Sequence, residues 1–340
     1  MQKKITNGLI RAGHNVVSFS DRDLCRMMGI TGSMNALGRK RINDYLLKFA
    51  LQIRPDIIML GHADTIKTKT LLEIKKRLPH VKMVDWNVDW ISYCERASAR
   101  FNKDTDFNLT KLRDKSPATD VILVTTGDKE ALKQLKTDKN TVAFMPNIVD
   151  KSIETGRVFE QDIVPHDFLF VATPRLEREF CGQFVSVDKI AEDIKKHIPD
   201  LNPLFAGVMG TPKIHSTDYQ KACESTAMGL SLSHINSVYL YQSDRLAHFM
   251  GNGVLTFLDS ASGYRDFFSD DEVAFYSTKD DLIEKINYYI KNPSKRQYIA
   301  QNGYNRYHEL FNETKLAKYI VSVANKSFNK DDYPYATIIK

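Results

Sequence analysis

Residues 241–259 read YQSDRLAHFMGNGVLTFLD and contain the pattern that decides the fold. The pattern predicts a helix over 243–250, a tight turn at two glycines and an apolar strand over 254–258. Ser243 or Asp244 can cap this helix. A short strand that is apolar without alternation is typical of a parallel sheet covered by helices on both faces.

The same alternation of strands and helices continues outward and forms two series. Parallel βαβ units are expected, because the short apolar strands alternate with helices of suitable length. The segment 150–165 between the series is polar and unpatterned, which predicts a linker. The first series is predicted as helix 39–52, strand 56–60, helix 66–78, strand 81–85, a mixed segment to 114, strand 120–124, helix 128–135 and strand 141–144. The second is predicted as strand 168–171, helix 187–197, strand 203–206, helix 218–225, strand 228–232, helix 243–250, strand 254–258, strand 273–276 and helix 279–290.

The two ends of the chain extend these series. The N-terminus is predicted as helix 3–11 followed by strand 16–19, whereas a doubly wound domain normally opens with a strand. We therefore expect that a first strand is missing from this chain or from its start. The C-terminus is predicted as two helices, and the second, over 314–328, is long enough to pack back across the first domain. The expected domains are 1–155, 156–312 and a returning C-terminal helix within 313–340.

Composition and charge restrict the class of protein. The 340 residues are 42% hydrophobic and 26% charged, as in an ordinary globular protein of two domains. A net charge of +6 suits anionic partners such as sugar nucleotides or phospholipid surfaces, but it is too diffuse for nucleic acid. Four cysteines without CxxC spacing indicate reduced thiols and no zinc site. Without a membrane-spanning run or a signal peptide, the sequence predicts a cytoplasmic protein.

The helix over 243–250 is also a candidate phosphate site. Arg245 lies in its first turn, where free N–H groups favour anions, and a guanidinium can donate to two phosphate oxygens at once. Together with Ser243 and Asp244, Arg245 is therefore a candidate for binding a diphosphate. The alternative is a capped surface helix with an incidental arginine.

The C-terminal half resembles group 1 glycosyltransferases, and most closely the branch related to spore-maturation-protein-like transferases. The resemblance covers about residues 220–312 and continues more weakly upstream. It implies the GT-B fold, in which two Rossmann-like, doubly wound parallel-sheet domains face each other across a cleft. The second domain then holds the nucleotide sugar, which is a substrate and not a cofactor, and the first holds the acceptor. The parts that carry the resemblance are Ser243 to Gly253, Gly263 to Phe268, Val273 to Tyr276, Asp281 to Ile283, Asn292-Pro293, Arg296 and Ile299 to Gly303, with Pro55 to Ile58, Gly61 to Asp64 and Met145 to Asp150 upstream.

One position departs from the family pattern. Such transferases usually carry Arg-x-Phe-Glu in this helix, with the glutamate meeting ribose or sugar hydroxyls, whereas residues 245–248 read RLAH. His248 can hydrogen-bond a hydroxyl, or a phosphate if it is protonated, but it cannot accept as a carboxylate does. It is therefore either a donor-binding residue or a satisfied histidine in the cleft wall.

A second phosphate-binding element is predicted directly after the first strand of the second series. Thr173 and Arg175 follow that strand, and Arg178 lies one turn further on. Two guanidinium groups would suit the charge of a leaving diphosphate. Lys213, in the turn after the next strand, either completes this clamp or is a solvated loop lysine.

The nucleoside and the acceptor are assigned to other strand ends. Tyr219, Ser231 and Ser233 lie where GT-B proteins receive the nucleoside, although the apolar residues of that strand are expected in the core.

On the acceptor side, His62 and Asp64 follow one strand and Asp89 follows the next, between Trp86 and Trp90, whose rings can stack on sugar faces. An inverting transferase needs a general base for the acceptor hydroxyl, and a histidine or carboxylate can supply it. The alternative for each of the three polar residues is a helix-capping role, for Asp64 especially.

Other classes of protein fit less well. The chain has neither the Gly-x-Gly-x-x-Gly of dinucleotide enzymes nor the Gly-x-x-x-x-Gly-Lys-Ser/Thr of P-loop kinases. Asp104-x-Asp106 lies in an irregular segment and not after a strand, so a metal-independent hexosyltransferase is expected. The resemblance implies sugar transfer from a UDP- or GDP-sugar, with the base left open, to a glycan or lipid-linked acceptor in cell-surface polysaccharide synthesis. Peripheral attachment to the inner face of the membrane is a hypothesis, and a noncatalytic sugar-nucleotide-binding protein on a degenerate GT-B scaffold is the alternative.

Overall fold

The computed structural model describes residues 1–91, 99–174 and 176–339, apart from the side chains of 99–101. It contains two five-stranded sheets, one centred in each half of the chain, and a short antiparallel hairpin. Within these described ranges, no helix is long and apolar enough to cross a membrane.

The first sheet is built from the N-terminal half and completed by the last strand of the chain. Its elements are α1 Gln2–Arg11, α2 Asp21–Met28, α3 Ala36–Ile53, β1 Ile57–Gly61, α4 Thr68–Arg77, β2 Lys82–Asn87, α5 Ala99–Lys115, β3 Val121–Val124, α6 Lys129–Lys133, β4 Thr141–Phe144 and the C-terminal β12 Ile338–Ile339. Strands β1 to β4 are parallel and adjacent in chain order, and β12 pairs antiparallel with β4. All four residues of β3 are buried, as expected for a parallel strand covered on both faces.

The second sheet has the strand order that opens a ligand crevice. Its elements are β5 His166–Val171, β6 Glu177–Phe180, β7 Gln183–Ser186, α7 Val187–His197, β8 Pro203–Ala206, α8 Ser216–Glu224, β9 Thr226–Ser231, α9 Arg245–Gly251, β10 Leu255–Asp259, β11 Ala274–Tyr276, α10 Lys279–Lys291, α11 Pro293–Leu310 and α12 Glu313–Ala324. The parallel order is β11-β10-β9-β5-β8, so the chain runs outward from β5 to β8 and returns to β9 on the other side of β5. Ligands bind at such a reversal, beyond the carboxyl ends of the strands. The described strands of the first sheet show no such reversal.

A close contact places α9 against the second sheet. Gly229 lies on β9, and a Cβ atom there would lie 2.8 Å from the ring of Phe249 on α9. The missing side chain therefore lets the Phe249 ring pack directly on the strand, which sets the position of the helix that begins at Arg245.

The two halves share one hydrophobic core. It joins Val84 and Phe144 of the first sheet with Leu246 of α9, Leu258 of β10 and Tyr319 of α12. The Tyr319 hydroxyl donates to the Phe144 carbonyl at 3.0 Å. Helix α12 also packs against α1, so the C-terminal helix returns to the first half as a crossover helix does.

Four local predictions differ from the structure. Residues 16–19 form no strand, because no neighbouring strand pairs with them in the described structure, and Val17 is 59% exposed. Residues 21–28, left without a structure by the sequence pattern, form α2, which Ser20 caps by accepting from the Asp23 N–H at 3.2 Å. The mixed segment before residue 114 contains α5. The hairpin of β6 and β7 was not predicted, because its two four-residue strands carry too little pattern to distinguish them from a loop.

Candidate active site

The crevice of the second sheet lies beyond the carboxyl ends of β5 and β9. Thr173 follows β5 at this point and is half-buried. Arg175, predicted beside it, lies outside the described residues. The hairpin then brings Arg178 over the end of β9, where its Nη1 donates to the Leu232 carbonyl at 3.0 Å. The strand reversal thus gathers the predicted phosphate-binding element and the end of β9 at one place.

Arg178 is a buried cation with an unused donor. Only 3% of the residue is exposed, and its Nε has no hydrogen-bond partner in the described part of the chain. Burial, together with the positive charge of Arg245, lowers the pKa of Arg178 to about 9. A charged group held under these conditions is stabilised by an anion that replaces its lost hydration.

Arg245 provides the second cation of this crevice. It is the first residue of α9, and its Nη1 donates to the Ser243 hydroxyl at 2.9 Å, while its Nε has no partner among the described residues. Burial, followed by the charges of Arg178 and Arg245, lowers the pKa of His234 to about 3. The electrostatic fields of Arg178 and Arg245 therefore overlap at this crevice. Two neighbouring guanidinium groups favour the binding of a multiply charged anion.

A buried polar network fixes the loop before α9. Ser231 and Ser233 are fully buried, and their hydroxyls donate to Gln242 Oε1 at 3.4 and 2.9 Å. The Ser233 hydroxyl also accepts from the N–H of Ser243 at 2.8 Å. Both hydroxyls are enclosed and used within the protein, and the nucleoside contacts of Ser231 and Ser233 stay a prediction. The two serines hold the loop that carries Arg245, and Gln242, which the sequence analysis missed, joins them.

His248 is held by carboxylates. Its Nδ1 lies 2.9 Å from Glu154 Oε1, and its Nε2 lies 3.7 Å from Asp244 Oδ2. Burial alone would lower the pKa of His248, but the hydrogen bonds to Asp244 and Glu154 raise it. Glu154 is fully buried and also pairs with Lys4 of α1 at 2.5 Å. The sequence analysis missed Glu154, which lies in the unpatterned linker and shows no motif.

Two further predicted donor residues, Tyr219 and Lys213, differ in their surroundings. The ring of Tyr219 on α8 meets the ring of His248 edge-on, with centroids 5.5 Å apart. Lys213 is exposed in the loop after β8, with no ion-pair partner within the described ranges. Tyr219 is thus part of the wall beside α9, whereas Lys213 has the exposure of a solvated lysine.

The predicted acceptor residues line a cavity of about 280 Å³ in the first half. His62 and Asp64 reach it from the end of β1, and Asn87 and Asp89 reach it from the end of β2. His62 Nε2 lies 3.9 Å from Asp89 Oδ2. Asp64 forms an ion pair with Arg22 of α2, which also lines the cavity. The structure therefore brings all three predicted residues together, with Asp64 already paired.

The backbone around His62 is held in an unusual conformation. His62 and Ala63 have φ values of 59° and 39°, in the left-handed region that non-glycine residues rarely adopt. The ammonium of Lys115 donates to the His62 carbonyl. The preceding Gly61 has no room for a Cβ atom, which would lie 2.2 Å from the Trp86 ring. These contacts fix the direction in which the His62 side chain enters the cavity.

A buried carboxyl lies on the same strand as the cavity wall. Asp85 and Asn87 point to the same face of β2, because side chains two apart in a strand share a face. Asp85 is 1% exposed, and neither of its carboxyl oxygens has a hydrogen-bond partner in the described structure. Burial raises the pKa of Asp85 to about 7, against the opposing charge of Lys115. The sequence analysis missed this residue, since it sits inside a predicted apolar strand.

The cavity and the arginine pair meet at an aromatic contact between the two halves. The rings of Trp90 and Tyr241 lie 4.7 Å apart. Burial and the charge of Asp89 raise the pKa of Tyr241, while the charges of Arg178 and Arg245 oppose that rise. Tyr241 is therefore within the electrostatic fields of both sites.

No metal cluster is formed by the part of the chain that the structure describes. It contains no group of three or more His, Cys, Asp or Glu side chains that could hold a metal ion. Asp104 and Asp106 lie within α5. Metal independence stays a prediction.

Comparisons with known proteins agree with this architecture. Residues 189–322 match a family model described as glycosyl transferase-like. The fold is similar to sucrose-phosphate synthase from Thermosynechococcus elongatus, with a TM-score of 0.52, 10% identity and coverage of 85% of this chain and 78% of that one. It is also similar to HepE from Anabaena in complex with UDP, with a TM-score of 0.50, 12% identity and coverage of 86% and 84%. A UDP-forming trehalose-phosphate synthase from Burkholderia xenovorans gives a TM-score of 0.51, 9% identity and coverage of 96% and 86%. No curated protein sequence matches the chain. The prediction of a GT-B fold is confirmed.

Proposed function

We propose that this GT-B chain, whose residues 189–322 match the glycosyl transferase-like family, transfers a sugar from a nucleotide-sugar donor to a saccharide or lipid-linked acceptor. The donor is bound in the crevice of the second sheet, and the acceptor is bound in the cavity of the first. The aromatic contact of Trp90 and Tyr241 lies between the two. This arrangement brings donor and acceptor to facing ends of parallel strands, which is where α/β sheets bind ligands.

The observation that carries the proposal is the pair of arginines at the strand reversal. Arg178 and Arg245 repel each other in the free protein, and each keeps an unpaired Nε. A diphosphate supplies negative charge and several acceptor oxygens at once, so it relieves the repulsion and satisfies the donors. The same two arginines stabilise the negative charge that develops on the leaving diphosphate in the transition state, and this stabilisation lowers the barrier to sugar transfer.

The acceptor hydroxyl requires a base, and His62 is our candidate. It lines the cavity, its Nε2 lies 3.9 Å from Asp89 Oδ2, and an imidazole nitrogen in that place can accept the proton of an acceptor hydroxyl. Asp64 is less suited to this role because it is paired with Arg22. We assign Asp64 to holding the cavity wall.

The finer assignments rest on chemistry and resemblance. We propose a hexosyl donor and a reaction without a bound metal, with the two guanidinium groups neutralising the diphosphate. UDP is the first nucleotide to test, because HepE is observed with UDP and the Burkholderia enzyme forms it. Membership of the spore-maturation-protein-like branch, a role in cell-surface polysaccharide synthesis and a place at the inner face of the membrane are parts of the same proposal.

Thermal shifts against UDP, GDP and their sugar conjugates test the donor site. A ligand that binds only the folded protein stabilises it by about 2.7 kcal/mol at a hundredfold excess over Kd. We expect one nucleotide family to stabilise the wild type and the control Arg113→Gln, an exposed arginine of the first half, but not Arg245→Ala. If no nucleotide stabilises the wild type, the proposed donor site is rejected.

One observation favours a second function, noncatalytic binding of a sugar nucleotide. The histidine that replaces the glutamate of the family pattern is tied to Glu154 and Asp244, so it is not free to contact a donor sugar as that glutamate would. Hydrolysis or transfer of a bound donor separates the two functions. An enzyme releases nucleoside diphosphate at a rate that falls strongly in His62→Gln, whereas a binding protein releases none in either form.

A further inference from the structure

The excess of basic residues is confined to the first half of the chain. Residues 1–155 contain 27 lysines and arginines against 18 acidic residues, whereas residues 156–340 contain 21 against 24. The net charge of +6 is thus a sum of a strongly basic first half and a slightly acidic second half. Such asymmetry draws an anionic surface towards one face of a protein.

Exposed apolar side chains accompany this charge on α2 and α3. Met27 is 79% exposed and Ile30, in the loop that follows α2, is 61% exposed. They are not needed for the core, because Cys25 on the opposite side of α2 makes the buried contact. Tyr45 of α3 is 38% exposed. The α2–α3 face is defined here by Arg26, Met27, Ile30, Arg41, Tyr45 and Lys48.

The loop after α2 is built to hold Ile30 outward. The Ile30 carbonyl accepts hydrogen bonds from the Thr31 hydroxyl at 2.6 Å, the Ser33 hydroxyl at 3.0 Å and the Asn35 amide at 3.0 Å. Three donors on one carbonyl fix the turn, so the apolar side chain is presented to solvent by an ordered backbone. A side chain placed in this way inserts into an apolar medium at little cost in conformational entropy.

The basic residues of the face lie beside these apolar ones. Arg41 reaches the end of α2, where its Nη1 donates to the Met28 carbonyl at 2.8 Å. Arg41, Tyr45 and Lys48 are spaced by four and three residues and so share one side of α3. Arg26 is 49% exposed at its side chain and pairs with Asp23 on the same helix.

The face adjoins the acceptor cavity. Arg22 lines that cavity, and Arg26 lies one helical turn further along α2. A surface that binds the α2–α3 face therefore lies next to the cavity opening, and a headgroup-linked acceptor reaches the cavity without leaving that surface.

We propose that the α2–α3 face docks onto an anionic phospholipid surface, with Met27 and Ile30 inserted and the basic side chains at the headgroups. This docking assigns the membrane location of the proposed function to one surface, and the use of the cavity by a lipid-linked acceptor rests on the same proposed function. Apolar residues in the interface and cations at anionic headgroups both strengthen such binding. A second copy of this chain is a poorer occupant, because its own face would carry the same positive charge.

Flotation of the full chain with phosphatidylcholine vesicles, with and without phosphatidylglycerol, tests this surface. The apolar variant is Met27→Ser with Ile30→Ser, and the charge variant is Arg26→Gln with Lys48→Gln. The matched controls are Ile163→Ser, which is 87% exposed in the linker, and Lys196→Gln with Lys221→Gln, exposed lysines of the second half. We expect salt-sensitive binding to anionic vesicles only, weakened about fivefold per charge removed and more by the apolar variant, with the controls binding as the wild type.

Two results would overturn the proposal. One is a wild type that does not float with anionic vesicles, and the other is a face variant that floats as well as its control. A concentration-dependent dimer that is lost in the apolar variant would assign the face to a second copy instead. Melting temperatures establish that each variant is folded, and nucleotide-induced thermal shifts are measured on the same samples. Loss of flotation with the nucleotide shift intact rejects only the docking surface, whereas the reverse result rejects only the donor site.

Discussion

At the scale of single residues, the sites depend on ionisable groups whose surroundings oppose or favour their charge. Arg178 and Asp85 are buried without a full set of partners, and His248 lies half-buried between two carboxylates. Burial disfavours the charged form of each group, while the neighbouring carboxylates restore it for His248 alone. Because the folded-state pKa of each group is raised, stability falls with rising pH through both, between about 4 and 7 for Asp85 and above the unfolded-state pKa for His248.

Asp85→Asn should stabilise the protein at neutral and higher pH. The folded-state pKa of Asp85 is raised to about 7, so the folded protein binds its proton more tightly than the unfolded chain does. The contribution of Asp85 to the unfolding free energy of the wild type decreases as pH rises from about 4 to about 7. The variant has no carboxyl group there and does not show this decrease. Urea unfolding at pH 5 and pH 8 should show the variant gaining up to about 3 kcal/mol at the higher pH. An equal effect at both values would show that Asp85 ionises freely in the folded state.

His248→Gln should destabilise the protein most at low pH. The pKa of His248 is raised in the folded state, so its contribution is complete below the unfolded-state pKa and disappears as pH rises through the folded one. We expect a loss of about 1 kcal/mol near pH 6 that shrinks by pH 9, measured as the difference in unfolding free energy from the wild type. Tyr219→Phe, which keeps the ring contact but has no charge to lose, should show no such trend. A loss independent of pH would contradict the ion pair with Glu154.

At the scale of elements, close packing against β9 sets the position of α9. Gly229 on β9 leaves room for the Phe249 ring. Gly229→Ala should cost about 2 kcal/mol of unfolding free energy by overpacking and should weaken nucleotide binding through displacement of Arg245. Adding Phe249→Leu should recover part of both losses, because the smaller side chain makes room for the new methyl group. Denaturant unfolding and nucleotide thermal shifts measure the two effects, and a double variant no better than the single one would reject this account.

The elements also show what sequence patterns can predict. Strands such as β8 and helices such as α7 were predicted at their observed bounds, because apolar runs and polar caps mark them locally. The hairpin of β6 and β7, and the burial of Ser231 and Ser233, depend on contacts with residues distant in the chain. Asp85 and Glu154 were missed for the same reason, since their importance comes from burial and not from any local motif.

At the scale of the whole molecule, the two halves are joined by a buried core and by hydrogen bonds that cross between them. The Tyr307 hydroxyl on α11 donates to the Asn147 carbonyl at 2.8 Å, and Asn147 in turn donates to the Gln242 carbonyl at 2.7 Å. These bonds connect Asn147, in the segment after β4, to α11 and to the loop that precedes Arg245. The relative position of the two sites is therefore part of the folded core.

Tyr307→Phe should lower the stability of the whole chain by about 1 to 2 kcal/mol, because it removes a buried hydrogen bond and leaves the Asn147 carbonyl without that donor. The matched control is Tyr298→Phe on the same helix, where the residue is 50% exposed. Thermal unfolding of both variants makes the comparison. Equal stability of the two would show that the bond between the halves contributes nothing.

The central claim is that Arg178 and Arg245 bind one diphosphate together, and calorimetric titration of UDP and GDP tests it most directly. The proteins required are the wild type, Arg178→Gln, Arg245→Gln and the double variant, with Arg113→Gln as the control. We predict that each single substitution weakens the binding of one nucleotide at least tenfold, which corresponds to about 1.4 kcal/mol. The double variant should lose less than the sum of the two, because both arginines act on the same ligand. Unchanged affinity in either single variant, or no binding of either nucleotide to the wild type, would contradict the account.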